Sequence, residues 1–216
     1  MAAMWPAGII NPGRVVNDFV NIIDLAPTFL EVAQVNPSKS GMQPIEGRSL
    51  VPIFLSDKPI KNRNFVLVGK ERHDVGRPND EGYPVRGLIK NNYLYLHNFK
   101  PDRWPVGNPE SGYTNVDASP TKSFLLNTRR NTGDLTYWQK NFGKRPEIEL
   151  YHIAYDPFCS NNLAEQTSYQ KIIKKMNKEM VKRLLKQHDP RVNGSGAIFD
   201  KYPFAGAAKD YYNRMM

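Results

Sequence analysis

Hydrophobic and polar positions along this chain follow two periods, and the changes of period mark its elements. In "NIIDLAPTFLEVAQV" the apolar residues Leu25, Phe29, Val32 and Ala33 fall at helical spacing. Asp24 stands where an N-cap belongs, Pro27 falls in the first turn, where a missing N–H does no harm, and Asn36-Pro37 ends the run. "PSKSGMQPIEGRS" is a surface loop by composition, and "LVPIFL" is a short apolar piece expected to pack beside that helix. Lys58 to Asn64 is polar and aperiodic and reads as a boundary. "NFVLVGK" has the β-branched and aromatic content of a buried strand. "YPVRGLIK" and "YLYLHNF" flank Asn91-Asn92, two residues that tolerate left-handed backbone, so Val85–Lys90 and Tyr93–Asn98 are expected to pair as an antiparallel hairpin.

Residues 99–119 form a long loop rich in Pro and Gly, of a length more often functional than idle. Ser119 and Pro120 then open a helix, "LTYWQKNFGK" reads as a second short one, and "EIELYHIAYDP" as a strand ending in a turn. In "YQKIIKKMNKEMVKRLLKQHD" one stripe holds Tyr169, Ile172, Ile173, Met176, Met180 and Leu184, and lysines fill the opposite face. The tail beyond Pro190 is irregular, with Phe199, Tyr202 and Phe204 as expected anchors. The order helix, strands, helices, strand, helix predicts an α+β fold: a small antiparallel sheet packed with helices.

Composition narrows the class. With 216 residues, 40% hydrophobic and 24% charged, the chain suits one globular domain or a core plus a lobe. No apolar run approaches the ~20 residues that span a bilayer. "MAAMWPAGII" lacks the basic start of a secretory signal, and Trp5-Pro6 reads as the end of a strand begun upstream. A single cysteine, Cys159, excludes an internal disulfide framework and a Cys-rich zinc site. Its flanks, "DPFCSNN", read as a turn. The net charge is +9, but residues 171–186 hold seven basic residues against Glu179 and so carry six of those nine charges. The excess belongs to one helix face, and no nucleic-acid motif accompanies it.

Candidate chemistry centres on "GKERHDVGRPNDEGYPVRGLIK", which packs charges of both signs after a strand. Arg72 and Arg77 can grip an anion through the guanidinium fork or stand as solvated charges. His73, between Arg72 and Asp74, is either a ligand group whose tautomer Asp74 holds or a hydrogen-bonding loop residue. Arg86, inside an apolar strand, is expected to pair with an acid in the fold. Trp104 and Tyr113 offer faces for a sugar ring or anchors for their loop. His97 and His152 read as strand-packing or surface residues. No Gly-x-Ser-x-Gly elbow, His-Glu-x-x-His, His-x-His or phosphate loop occurs.

Several stretches together resemble the C-terminal part of the type I sulfatases, above all the heparan N-sulfatase (sulfamidase)-like branch common in bacteria. They are "WPAGIINPGRVVNDFVNIIDLAPTFLEVA", "GMQPIEGRSLVPIF", "ERHDVGRPNDEGYPVRGLIKNNYLYLHNFKPDRWPVGNPE", "DASPTKSFLL", "FGKRPEIELYHIAYDPFCSNNLA" and "DPRVNGSGAIFDKYPF", in that order. Cys159 stands where that family usually has an acid, and Gln34 breaks its usual helix end. The resemblance implies that residues 1–58 close an alkaline-phosphatase-like α/β catalytic domain and that 59–216 form the family's C-terminal subdomain at the rim of the substrate cleft. It implies hydrolysis of sulfate esters or sulfamates on a sulfated carbohydrate. The formylglycine nucleophile and the Asp and Asn ligands of a calcium ion lie upstream in such enzymes. No catalytic residue and no metal ligand is therefore carried over, and this chain alone is expected to be inactive and to bind no calcium itself. Arg72, His73 and Asp74 are expected to contact the substrate. The missing N-terminal sulfatase domain is the implied partner, leaving apolar surface on the 24–34 helix; nucleic acid and membrane are not expected. Export to the periplasm or beyond fits the family. The alternative is a non-catalytic module binding polyanions or carbohydrate through the basic helix and Trp104.

Overall fold

The computed structural model describes residues 1–73, 75–112 and 116–216, and these form two compact units, Met1–Val66 and Leu67–Met216. In the first unit a single 3-10 turn, Ile22–Asp24, runs directly into helix α1, Leu25–Val32. That continuity corrects the expected cap. Asp24 has helical backbone angles and no side-chain bond to α1. Its carboxylate instead takes the N–H of Asn21 at 3.0 Å, the N–H of Arg48 at 2.8 Å and Arg63 Nη1 at 2.9 Å. Burial alone would raise the Asp24 pKa, but these donors outweigh it and hold the carboxyl below its ordinary range. The one-turn helix α2, Val51–Phe54, packs on α1 as expected; Leu50, Val51 and Ile53 are buried. Thr28 links the two, accepting from Leu50 N at 2.8 Å and donating to Asp24 O at 2.6 Å. On α1, Phe29 is 66% exposed and Val32 is also exposed, so apolar surface does lie on this helix. Trp5-Pro6 does not end a strand: the chain turns there, and Trp5 packs edge-on against Phe54.

The second unit is built on a four-stranded sheet in the order β1 (Phe65–Lys70), β2 (Val85–Lys90), β3 (Tyr93–Asn98), β4 (Ile148–His152). The unit boundary falls within β1, whose residues from Leu67 onward belong to the sheet unit. β1 is half-buried rather than buried, because it is an edge strand. β2 and β3 are antiparallel with Lys90 opposite Tyr93, and β3 and β4 are antiparallel with Tyr95 opposite Leu150. Asn91 and Asn92 both have positive φ, 50° and 63°, which is the twist a two-residue hairpin needs.

Register places Leu88, Tyr95 and Leu150 in one row across the sheet, each fully buried. Helix α5 (Gln170–Lys186) covers that face through Ile173, Met176, Met180 and Leu184. Lys90 clamps it to the sheet with a 2.8 Å bond to Glu179. On the opposite face Glu149 accepts from Asn98 Nδ2 at 2.7 Å and from the Tyr151 hydroxyl. Between β3 and β4 lie α3 (Pro120–Thr132), capped by Ser119 as expected, and α4 (Thr136–Phe142). Leu126, Trp138 and Phe142 form a second apolar cluster that takes in Trp104. Two short helices, α6 (Ile198–Lys201) and α7 (Tyr211–Met215), interrupt the tail.

Candidate functional site

The polar burst lies where β1 stops. Gly76 and Gly107 have φ of 99° and 79°, and a side chain at Gly107 would press on the Gly76 carbonyl. The loop after β1 therefore lies flat against the 99–119 loop, joined by Asn108 N to Gly76 O at 2.9 Å. Val75 is completely buried in this junction. Arg77 is 1% exposed and so is not a solvated charge; it donates to Glu81 O at 2.6 Å and Trp104 O at 3.0 Å. Lys70 reaches Pro105 O at 3.1 Å, and burial first, then the Arg77 charge, lowers its pKa. Trp104 is held in the apolar cluster edge-on to Trp138, so it anchors its loop. Tyr113 lies outside the described residues.

Below the loop sits a ring of four charges. Arg86 meets Glu71 at 2.7 Å and Asp189 at 2.5 Å, and Arg191 meets Glu71 at 2.6 Å. Asp189 also accepts the backbone N–H of Arg191. Two guanidiniums and two carboxylates balance, as a partly buried set must. The expected acid partner of Arg86 is thus found, although only the fold could name it. Burial would raise the Asp189 pKa, but hydrogen bonds from Arg86 and from Arg191 N, with both positive charges, leave it lowered. Burial works against the charge on Arg86, and the bond to Asp189 and the two carboxylates reverse that and raise it.

Arg72 and His73 project from this frame. Arg72 Nη1 donates to Asp80 O at 3.2 Å, and Nη2 to Tyr202 O at 2.9 Å and Pro203 O at 3.4 Å; the guanidinium lies over the Phe204 ring. Its partners are carbonyls. Among the described residues it has no carboxylate partner. His73 is exposed, and among the described residues its ring makes no hydrogen bond. Asp74, the third expected contact, lies outside the described residues. Arg72 and His73 lie next to each other where β1 ends, with Arg72 partly committed to the tail. Arg103 completes the frame, joining Asp200 at 3.0 Å, Glu81 at 3.1 Å and Gly82 O. Neither Arg103, Arg191 nor Asp189 stood out in sequence, because each draws its meaning from a partner about a hundred residues away.

His97 stacks on Phe99 and His152 on Tyr155, in keeping with packing roles. Cys159 sits in a turn with φ of 50°. Among the described residues no group of three or more His, Cys, Asp or Glu can hold a metal ion. These residues therefore do not fit the calcium that sulfatases imply. No helix among them is long and apolar enough to cross a membrane. The first unit contains a cavity of about 760 Å³ lined mainly by apolar residues, among them Trp5, Leu50, Ile53 and Phe54, with Arg14 and Asp18 also at its wall.

An ulvan-active sulfatase of Formosa agariphila is 28% identical over 189 residues, which are 87% of this chain and 33% of that protein. The N-sulphoglucosamine sulphohydrolase of Homo sapiens is 27% identical over 197 residues, 88% of this chain and 37% of that protein. The chain is similar to these sulfatases over most of its length and spans about a third of theirs. No family model matches it. A solved Bacteroides thetaiotaomicron structure from work on the metabolism of multiple glycosaminoglycans shares the fold, with 17% identity and a TM-score of 0.52 over 93% of this chain and 33% of that one.

Proposed function

We propose that this chain is the C-terminal portion of an enzyme that hydrolyses sulfate esters or sulfamates of a sulfated carbohydrate. Residues 1–58 would close the catalytic α/β domain and 59–216 would form the subdomain at the rim of the cleft. The observation that carries the reading is the similarity to an ulvan-active sulfatase along 87% of this chain, confined to a third of that relative. The nucleophile and the calcium ligands would then belong to the other two-thirds, and the isolated chain would not turn over substrate.

In this reading Arg72, His73 and Asp74 face the substrate. The guanidinium of Arg72, which has no carboxylate partner among the described residues, can attract a sulfate by charge. The exposed imidazole can donate to a sulfate oxygen or exchange hydrogen bonds with a sugar hydroxyl. The support is geometric: the strand end, the glycine junction and the ring of charges anchor the chain on either side of these residues.

The test joins this chain to the N-terminal portion of a sulfatase and measures turnover of a sulfated sugar. His73→Ala is expected to lower kcat/KM at least tenfold, about 1.4 kcal/mol of transition-state stabilisation. An unchanged value rejects His73 as a substrate contact. Turnover by the 216 residues alone rejects the division of labour.

A further inference from the structure

Helix α5 carries a feature that the substrate loop does not use. Lys171, Lys174, Lys175, Lys178, Lys182 and Lys186 are all exposed. At 100° per residue they fall within an arc of about 120°, and at 1.5 Å per residue they run for about 22 Å. Among the described residues none of the six makes an ion pair. The acid of this helix, Glu179, lies off the arc and is bound to Lys90 and Arg183.

This arrangement works against the helix that carries it. Lys171 and Lys175, Lys174 and Lys178, Lys178 and Lys182, and Lys182 and Lys186 are like charges four apart, a spacing that weakens a helix. Lys171 and Lys174 lie near the N-terminus, where the helix dipole favours acids, and the first turn has none. Alternating Glu and Lys would solvate the face equally well without these conflicts. Where local rules are broken together, a functional site is the expected reason.

We propose that the lysine face of α5 is a docking ridge for a linear sulfated polysaccharide. A straight row of ammonium groups pairs with repeated anions along a chain and asks for no planar, two-pronged geometry, unlike a guanidinium site. The arc holds no aromatic residue on which a nucleic-acid base could stack, so a single-stranded nucleic acid is a poorer fit. The choice of sulfated polysaccharide among polyanions rests on the sulfatase reading. The ridge would hold a stretch of the polymer and so raise its local concentration at the chain.

The test measures binding of the 216-residue chain to heparin, to desulfated heparin and to a DNA duplex at about 0.15 M salt. Replacing Lys174, Lys178 and Lys182 together by Gln is expected to weaken heparin binding at least tenfold. The same three positions as Arg keep the charge, and that variant is expected to bind within about twofold of the parent. Unchanged heparin affinity in the Gln variant, an equal loss in the Arg variant, equal binding of desulfated heparin, or tighter binding of DNA would each overturn the ridge. Those results leave the sulfatase reading to the turnover test, and failure of the turnover test leaves the heparin results standing.

Discussion

Arg191 Nη2 lies 2.6 Å from Glu71 Oε2, across 120 residues of sequence. That contact ties the residue just before the candidate loop to the chain just after α5. Glu71 also takes Arg86, so one carboxylate holds two guanidiniums whose remaining acid is Asp189. Glu71→Gln leaves two positive groups in a partly buried place with one negative partner. Breaking such a set from one side costs about 2 kcal/mol or more, less than a fully buried pair because Glu71 keeps some contact with water. Urea unfolding checks this, with Glu71→Asp as the variant that keeps the charge. Equal stability of Glu71→Gln and the parent would show that the ring contributes nothing.

The same ring sets a pH dependence. Asp189 is held below its ordinary value of about 3.9 in the folded chain. Its contribution is therefore fully present above pH ~4 and is lost as pH falls through the depressed folded value. Asp189→Asn is expected to be less stable at neutral pH and to lose less on acidification below pH ~4. Unfolding curves between pH ~2.5 and 7 for parent and variant give the comparison. Parallel pH profiles would mean that Asp189 titrates alike in both states.

The hairpin offers a change in the opposite direction. Asn92 has φ of 63° at the second turn position, and its carbonyl accepts from Ile153 N at 2.8 Å. Asn92→Gly keeps that backbone bond and removes the residual strain of a side chain in left-handed space. It is expected to stabilise the chain by about 0.5–1 kcal/mol, with Asn92→Val destabilising by more. Melting curves of the two variants decide it.

These elements were legible in the sequence to different degrees. The hairpin, the Ser119 cap and the stripe of α5 were readable because each rests on neighbours within a few residues. Asp24 misled, since the 3-10 turn before it absorbed the cap position and left its carboxylate for Arg48 and Arg63. Arg77 could be read as an anion grip or a solvated charge and is almost fully buried, donating to the carbonyls of Glu81 and Trp104, which leave no mark in composition. Trp104 carried the right residue type for a sugar platform but packs against Trp138 from a distant helix. Of the candidate site, the position of the loop followed from the strand before it, while the exposure of His73 came only with the fold. The contacts that anchor its flanks come from Asp189, Arg191 and the tail, and no local pattern announces contacts of that range.

Arg72 joins the loop to the tail, and this separates two roles for one side chain. Its guanidinium holds the carbonyls of Tyr202 and Pro203 and covers Phe204. Arg72→Ala removes all three contacts at once, so the segment around residues 202–204 should open more often. Chymotrypsin, which cuts after aromatic residues, is expected to cleave there severalfold faster in the variant. Arg72→Lys keeps a charge but cannot span two carbonyls with a planar fork, so an intermediate rate is expected. If cleavage is unchanged in both, the tail is held by Asp200 and Tyr211 without Arg72. A substrate defect in Arg72→Ala would then reflect lost contact with the sugar and not a loosened tail.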